Sequence, residues 1–284
     1  MIDRSTPKSV ALETTLLVHG VPRESAAPLA RELGEIVETE GAHPCPIALV
    51  DGEPVVGLSD EELGRLLSAD HVEKANTANI GVLMYRKAHG ATTVSTTMEL
   101  AAKAGVRVFA TGAIGGVHKN YGSEFDISSD LAALTRFPVG VVTSGVKSIL
   151  DVVATREALE TLGIPVVGYR TDVFPAFYRR ESAARVDARF DDIGELRGFV
   201  HAELERTGRG VVIANPIPEG DELEEGDWSG WVEEATARAR SVGARGRGVT
   251  PAILGALHEI SEGATLRANL ALVKSNARVG AQIV

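Results

Sequence analysis

The chain has 284 residues, 44% hydrophobic and 5% aromatic, with 29 Lys and Arg against 39 Asp and Glu for a formal net charge of −10. That is enough chain to bury a substantial core, while the acidic balance and the shortage of stacking aromatics argue against a nucleic-acid partner. Cys45 is the only cysteine, so no intrachain disulfide forms, and no apolar run reaches bilayer-spanning length.

Met1-Ile2-Asp3-Arg4-Ser5 lacks the apolar core of a signal peptide, which makes the cytoplasm the expected compartment and leaves no membrane partner to expect. Ala11-Leu12-Glu13-Thr14-Thr15-Leu16 is an apolar run interrupted by one carboxylate. The spacing predicts an amphipathic helix from Glu24 to Glu40. Ile47 to Val50 and Pro54 to Leu58, joined by Asp51-Gly52, predict a hairpin, and Ser59-Asp60-Glu61-Glu62 is a capping box opening the next helix. Thr92 to Ala104 reads as helical from Thr96, and Val106 to Ala110 as a buried strand followed by the glycine-rich loop Thr111 to His118. Val139 to Ser144 is another buried strand. Gly145 turns the chain, and a helix is predicted to open at Lys147 and stop at Gly163. Strands fit Pro165 to Tyr169 and Gly210 to Asn215, and helices fit Asp192 to Arg206, Trp228 to Val242 and Thr250 to Gly263. The charged stretch Arg179 to Asp192 reads as a connection or an edge excursion, and Glu219 to Asp227 as an exposed acidic loop or lid. This alternation predicts an α/β fold, layered α/β/α with a central mixed sheet flanked by helices, in a single domain over residues 1–284.

Several polar residues stand at the ends of apolar strands, where open α/β sheets bind ligands. Burial of Glu13 would raise its pKa and suit it to acid–base work, although an edge-strand glutamate facing water fits the same residue. Lys147, read as the first turn of a helix, would be an amine at a positive macrodipole end with a depressed pKa, or a surface lysine covering the turn. Asp126, Ser128 and Asp130 alternate in a way that suits a hard cation, or Ser128 or Ser129 simply caps a helix. Asn269 and Asn276 sit in a helical apolar run, where an amide reads a ring edge or satisfies backbone. The 112–116 loop is neither a dinucleotide fingerprint nor a phosphate-binding loop.

Together these segments resemble the pseudouridine-5′-phosphate glycosidases, the group that includes the indigoidine synthase A-like proteins. The resemblance is carried by Ala11-Leu12-Glu13-Thr14-Thr15 with His19-Gly20-Val21-Pro22, by Lys74-Ala75-Asn76 through Gly90-Ala91-Thr92-Thr93-Val94, and by Phe109 to His118. Phe125-Asp126-Ile127-Ser128-Ser129-Asp130-Leu131 and Gly145-Val146-Lys147-Ser148-Ile149-Leu150-Asp151 continue it, and Thr171 to Tyr178, Ala214 to Pro218 and Ala271 to Ala277 extend it over nearly the whole chain.

The resemblance implies reversible cleavage of the C–C glycosidic bond of pseudouridine 5′-phosphate to uracil and ribose 5-phosphate. It implies Lys147 as the nucleophile, through a Schiff base, and Glu13 as the proton donor. It further implies Asp126 as the ligand of a divalent cation, typically Mn²⁺ and one per subunit, with Lys74, Val94, Ser128, Ser129 and Asp130 lining the substrate site. Thr111, His118 and Asn276 are further substrate-binding candidates, and a homotrimer is the implied assembly. The chain departs from the common pattern at Thr14, Ala113, Lys119-Asn120 and Ala252; Thr14 and Lys119 preserve chemical character, whereas Ala113, Asn120 and Ala252 leave the nucleobase open. One competing reading is a C-glycoside synthase joining ribose 5-phosphate to another ring. The other is a silent sugar-phosphate-binding protein, which the retained Lys147 and Glu13 disfavour.

Overall fold

Short runs of β-branched and small apolar residues form one mixed sheet, and the amphipathic stretches between them form the helices that flank it. The computed structural model describes residues 1–119, 121–122, 125–243 and 249–284. The first seven strands are β1 (Ile2–Asp3), β2 (Ser9–Glu13), β3 (His43–Val50), β4 (Glu53–Val56), β5 (Glu73–Ala75), β6 (Gly90–Thr92) and β7 (Val108–Ala110). They are followed by β8 (Val117–His118), β9 (Gly140–Thr143), β10 (Leu150–Asp151), β11 (Val166–Tyr169), β12 (Ala188–Phe190) and β13 (Val211–Ala214). The large sheet runs β1–β4–β3–β2–β7–β9–β13–β11–β12, with β6 joined to β3 and β5 to β6.

Neighbours are parallel from β3 through β2, β7, β9, β13 and β11 to β12, whereas β4 and β6 are antiparallel to β3. Strands covered on both faces read as continuous apolar runs, and β7, β9 and β13 are buried throughout. β8 and β10 form a separate antiparallel pair.

The helices are α1 (Arg23–Thr39), α2 (Asp60–Ser68), α3 (Ile80–Tyr85), α4 (Val94–Lys103), α5 (Ser129–Leu134) and α6 (Val152–Thr161). α7 (Ile193–Thr207), α8 (Glu225–Ser241), α9 (Val249–Ile260) and α10 (Ala264–Ile283) complete them, and Leu16–Gly20 forms a π-helical turn directly after β2. α10 lies against the sheet, where a Cβ on Gly280 would stand 3.3 Å from both Ala110 and Val10 side chains. No helix among the described residues is long and apolar enough to cross a membrane.

The hairpin closes as the sequence predicts, with Asp51 and Gly52 at φ 51° and 76° and Val50 opposite Glu53. The capping box is made in both directions, Glu62 N donating to Ser59 Oγ at 3.2 Å and Ser59 N to Glu62 Oε2 at 2.9 Å. Helix α4 begins at Val94, ahead of the predicted Thr96.

The predicted course fails after β9. The helix expected to open at Lys147 starts at Val152, with Asp151 as its cap donating nothing and accepting the Ala154 N–H at 2.9 Å. Gly145 is the reason. It stands at φ 84°, its backbone bridges Ala176, and a Cβ there would overlap the Pro175 carbonyl oxygen; only glycine takes this bend. Lys147 therefore lies outside α6, and the helix-terminus reading of its amine is wrong.

Arg179 to Asp192 makes the edge excursion the sequence allows, as the strand β12 paired in parallel with β11. One further reading changes. Glu219 to Asp227 is not a free loop. It forms a 3₁₀ turn and the start of α8, and it is held by Arg179, which donates to the Leu223 carbonyl at 2.6 Å, and by Arg180, whose N–H donates to Glu222 Oε1 at 3.0 Å.

Candidate active site

The C-terminal ends of β2, β7 and β9 meet on one edge of the sheet. The register that sets Leu12 beside Ala110 brings the next residues, Glu13 and Thr111, together. Thr111 donates its hydroxyl to Glu13 Oε1. Burial holds the Glu13 carboxyl above the ordinary glutamate range, against the opposing pull of Lys147, of the Thr111 hydrogen bond and of Lys74. Glu13 thus keeps its proton to higher pH than a free glutamate, as a proton donor requires.

Lys147 reaches the same place from the far side of the glycine-rich loop. Val146 bridges Ile114, and Lys147 N donates to the Ile114 carbonyl at 3.2 Å. Lys74 comes from β5, and burial and the neighbouring Lys147 hold its ammonium below the ordinary lysine value, with Glu13 acting the other way. These three side chains line one cavity of about 280 Å³. An acid and two amines thus converge on a pocket with aromatic and apolar walls, including Phe177, Tyr178 and Leu16.

Val94, Ser128, Ser129 and Asp130 form a second group behind the glycine-rich loop. Ser128 caps α5, its Oγ accepting the Asp130 N–H at 3.2 Å. Asp130 is 4% exposed, and its two oxygens accept Ser95 N at 3.0 Å and Gly115 N at 2.8 Å. Ser129 Oγ lies 3.1 Å from Ser95 Oγ, and Val94 is buried as the first residue of α4. A Cβ on Gly115 would collide with Ser128, so glycine there lets the loop sit directly on this cluster. None of these four side chains lines the cavity with Lys147; Asp130 and Ser128 brace the loop.

Asp126 and His118 lie beside each other, and neither is among the residues that line the cavity. His118 opposes Leu150 in the small β8/β10 pair, and its Nε2 is 3.6 Å from Asp126 Oδ2. Among the described residues no group of three or more His, Cys, Asp or Glu converges on a common point. Asn120, one of the departures from the family pattern, lies outside the described residues.

The two asparagines of α10 divide their roles. Asn276 is fully buried. Its Nδ2 donates to the Thr111 carbonyl at 2.7 Å and Ser144 Oγ at 3.1 Å, and its Oδ1 accepts from Asn215 Nδ2 at 2.9 Å. This amide is consumed in tying α10 to the ends of β7, β9 and β13, and it does not face the cavity. Asn269 does line it, with its Oδ1 beside Gly112.

His19 and His258, which sequence reasoning did not assign, also line the cavity. Burial lowers the pKa of both, with Lys74 adding to the effect at His19. The motif His19-Gly20-Val21-Pro22 pointed to the first. Nothing in the spacing of α9 pointed to the second.

A mixed α/β sheet with an acid and two lysines gathered at its strand ends defines a protein class, and the chain belongs to the indigoidine synthase A like protein family, whose model matches residues 3–284. Among its relatives is a pseudouridine-5′-phosphate glycosidase from Nocardioides sp., 44% identical, covering 96% of this chain and 90% of that protein. Another of the same name, from Symbiobacterium thermophilum, is 43% identical and covers 99% and 93%. The fold is similar to an indigoidine synthase A-like protein from Thermotoga maritima, with a TM-score of 0.91 and 35% identity over 99% of this chain and 94% of that one. It is also similar to the prealnumycin C-glycosynthase AlnA in complex with ribulose 5-phosphate, with a TM-score of 0.89 and 35% identity over 97% and 90%.

Proposed function

We propose that this protein is a pseudouridine-5′-phosphate glycosidase that reversibly cleaves the C–C bond between uracil and ribose 5-phosphate. The observation that carries the reading is the convergence of Glu13, Lys74 and Lys147 on one cavity, in a chain so similar to enzymes of that name.

A carbon leaving group cannot depart by simple protonated-oxygen chemistry, so a pair of carboxylates is a poor tool for it. An amine solves the problem. The Lys147 amine forms a bond to C1′ as the C1′–O4′ bond breaks, and Glu13 delivers a proton to O4′. The nitrogen lone pair then forms C=N with C1′ while the C1′–C5 pair leaves with the base, and C5 takes a proton. Water hydrolyses the iminium and returns ribose 5-phosphate and the free amine. Lys74 supplies positive charge to the anionic substrate.

The proposal includes one divalent cation per subunit, Mn²⁺, held by Asp126 with His118 beside it. A partly exposed carboxylate with an imidazole nitrogen 3.6 Å from one oxygen fits a hard cation that completes its shell with water. When bound, the ion would supply charge beside the substrate phosphate. Asn269, in place of Asn276, reads the ring edge. A cytoplasmic homotrimer is part of the same reading.

Incubation with ribose 5-phosphate and borohydride, followed by peptide mapping, tests it. A reduced pentose-phosphate adduct on Lys147, absent from Lys147→Ala, is the expected result, and unchanged turnover in Lys147→Ala would sink the mechanism. The likeness to a C-glycosynthase supports a second reading, in which the same amine joins the pentose phosphate to a different ring; assay of uracil against other heterocycles separates the two.

A further inference from the structure

A buried polar network begins on α10 and ends at the Glu13 carboxyl. Asn276, Ser144, Thr111 and Asn215 are all buried, so water competes little for their bonds. The Thr111 carbonyl can only accept, which fixes the nitrogen of the Asn276 amide on that side, 2.7 Å away. Ser144 Oγ donates to the Asn215 carbonyl at 2.9 Å and accepts the second Asn276 N–H at 3.1 Å. Asn276 Oδ1 accepts from Asn215 Nδ2 at 2.9 Å, and Asn215 Nδ2 also donates to Ser275 Oγ at 3.0 Å. Both amide hydrogens and the oxygen of Asn276 are engaged, and the side chain has one orientation.

Thr111 is held from two sides. Its N–H donates to the Val142 carbonyl of β9 at 3.0 Å, and its carbonyl accepts from Asn276. With both main-chain groups fixed and a β-branched side chain that is stiff at χ1, the Thr111 hydroxyl has one direction, toward Glu13 Oε1.

We propose that Asn276 is a positioning residue for the acid: it holds the Thr111 main chain so that the Thr111 hydroxyl meets the Glu13 carboxyl, and Asn215 sets the direction of the Asn276 amide. The assignment rests on the reading of Glu13 as the proton donor. Asn276 does not line the cavity, so it acts without touching substrate. The charged groups around Glu13 are Lys147, Lys74 and Asp130. Asn276 hydrogen-bonds to none of them, so a change there leaves their charges in place and reaches the acid through the Thr111 hydroxyl.

The test is a double-mutant cycle on kcat and on the pH–rate profile, with wild type, Asn276→Leu, Thr111→Val and the double variant, and with Thr111→Ser as the control that keeps the hydroxyl. Asn276→Leu should lower kcat by about three- to tenfold, the scale of one hydrogen bond, and move the limb that reports Glu13 to higher pH, while KM stays within about twofold of wild type. In the Thr111→Val background the same change should cost less than about twofold, because the hydroxyl through which it acts is already gone. In the Thr111→Ser background it should cost its full amount. Asn215→Ala leaves the Thr111 carbonyl its partner and should show the same pattern at about threefold; it carries the test if Asn276→Leu does not fold. Losses in kcat that multiply in the double variant, or a Glu13 limb that stays in place, would make the network purely structural and overturn the assignment. A wild-type protein that splits no pseudouridine 5′-phosphate and forms no borohydride-trapped Lys147 adduct would overturn the glycosidase reading itself, a result distinct from these.

Discussion

Glu13 Oε1 accepts the hydroxyl of Thr111 across two neighbouring parallel strands. The bond is one of the forces that favour the charged carboxylate against the burial that disfavours it. Thr111→Val removes the hydroxyl with little change in volume, so the Glu13 pKa climbs further. The limb of the pH–rate profile that reports Glu13 should move to higher pH, and kcat should fall by about tenfold, the scale of one hydrogen bond to a charged group. A profile that does not move would separate Thr111 from the acid.

The same burial makes Glu13 a cost to the fold. Its folded-state pKa is raised above the ordinary value of 4.5, so between that value and the raised one the folded protein binds more protons than the unfolded chain. Stability is then complete below the ordinary value and falls as pH rises through the window up to the raised one. Glu13→Gln has no charge to bury. It should melt higher than the wild type at neutral pH, by ~2–4 °C for a gain on the order of 1 kcal/mol, with the gap closing near pH 4. Thermal melts at the two pH values check this, and a gap that widens on acidification would contradict it.

Asn276 and Asn269 should separate stability from recognition. Asn276→Leu strands the Thr111 carbonyl and the Asn215 amide in the core, and should lower unfolding stability by roughly 2–4 kcal/mol. Asn269→Ala leaves no comparable orphan and should stay within about 1 kcal/mol of wild type while raising KM for the base. Chemical denaturation paired with kinetics on both variants decides the matter. The reverse pattern would mean that the amide facing the cavity is structural.

Metal dependence offers an independent check on Asp126. Chelation should abolish most of the activity and Mn²⁺ should restore it. Asp126→Ala should need about tenfold more Mn²⁺ or greater for half-maximal activity, as expected when a carboxylate ligand is lost. Titration of Mn²⁺ against wild type and variant measures this. An Asp126→Ala enzyme with unaltered Mn²⁺ dependence would place the ion elsewhere.

What could be read without coordinates was whatever depends on neighbours in the chain. The Ser59 cap, the Asp51-Gly52 turn and the buried strands β7, β9 and β13 follow from local hydrogen bonding and local apolar patterning, and each stands close to where the pattern puts it. The short elements β5, α3 and β6 escaped because three to six residues carry too little periodicity to read. The motif marks Lys147 but does not record its setting. The bend at Gly145 is imposed by the Pro175 carbonyl, which is remote in sequence and whose effect no local preference records.

The sequence by itself determined the class of fold, the family and the residues proposed for amine chemistry, because apolar patterning and motif order are one-dimensional properties. Only the tertiary structure decided which of them share a cavity. It gathers Glu13, Lys74 and Lys147, turns Asn276 into a clamp while Asn269 faces the ligand space, and sets His258 and Gly20 in the wall of the same cavity. Those outcomes depend on strand register and on how α9 and α10 pack against the strand ends, and burial and hydrogen-bond partners are settled only when distant segments meet.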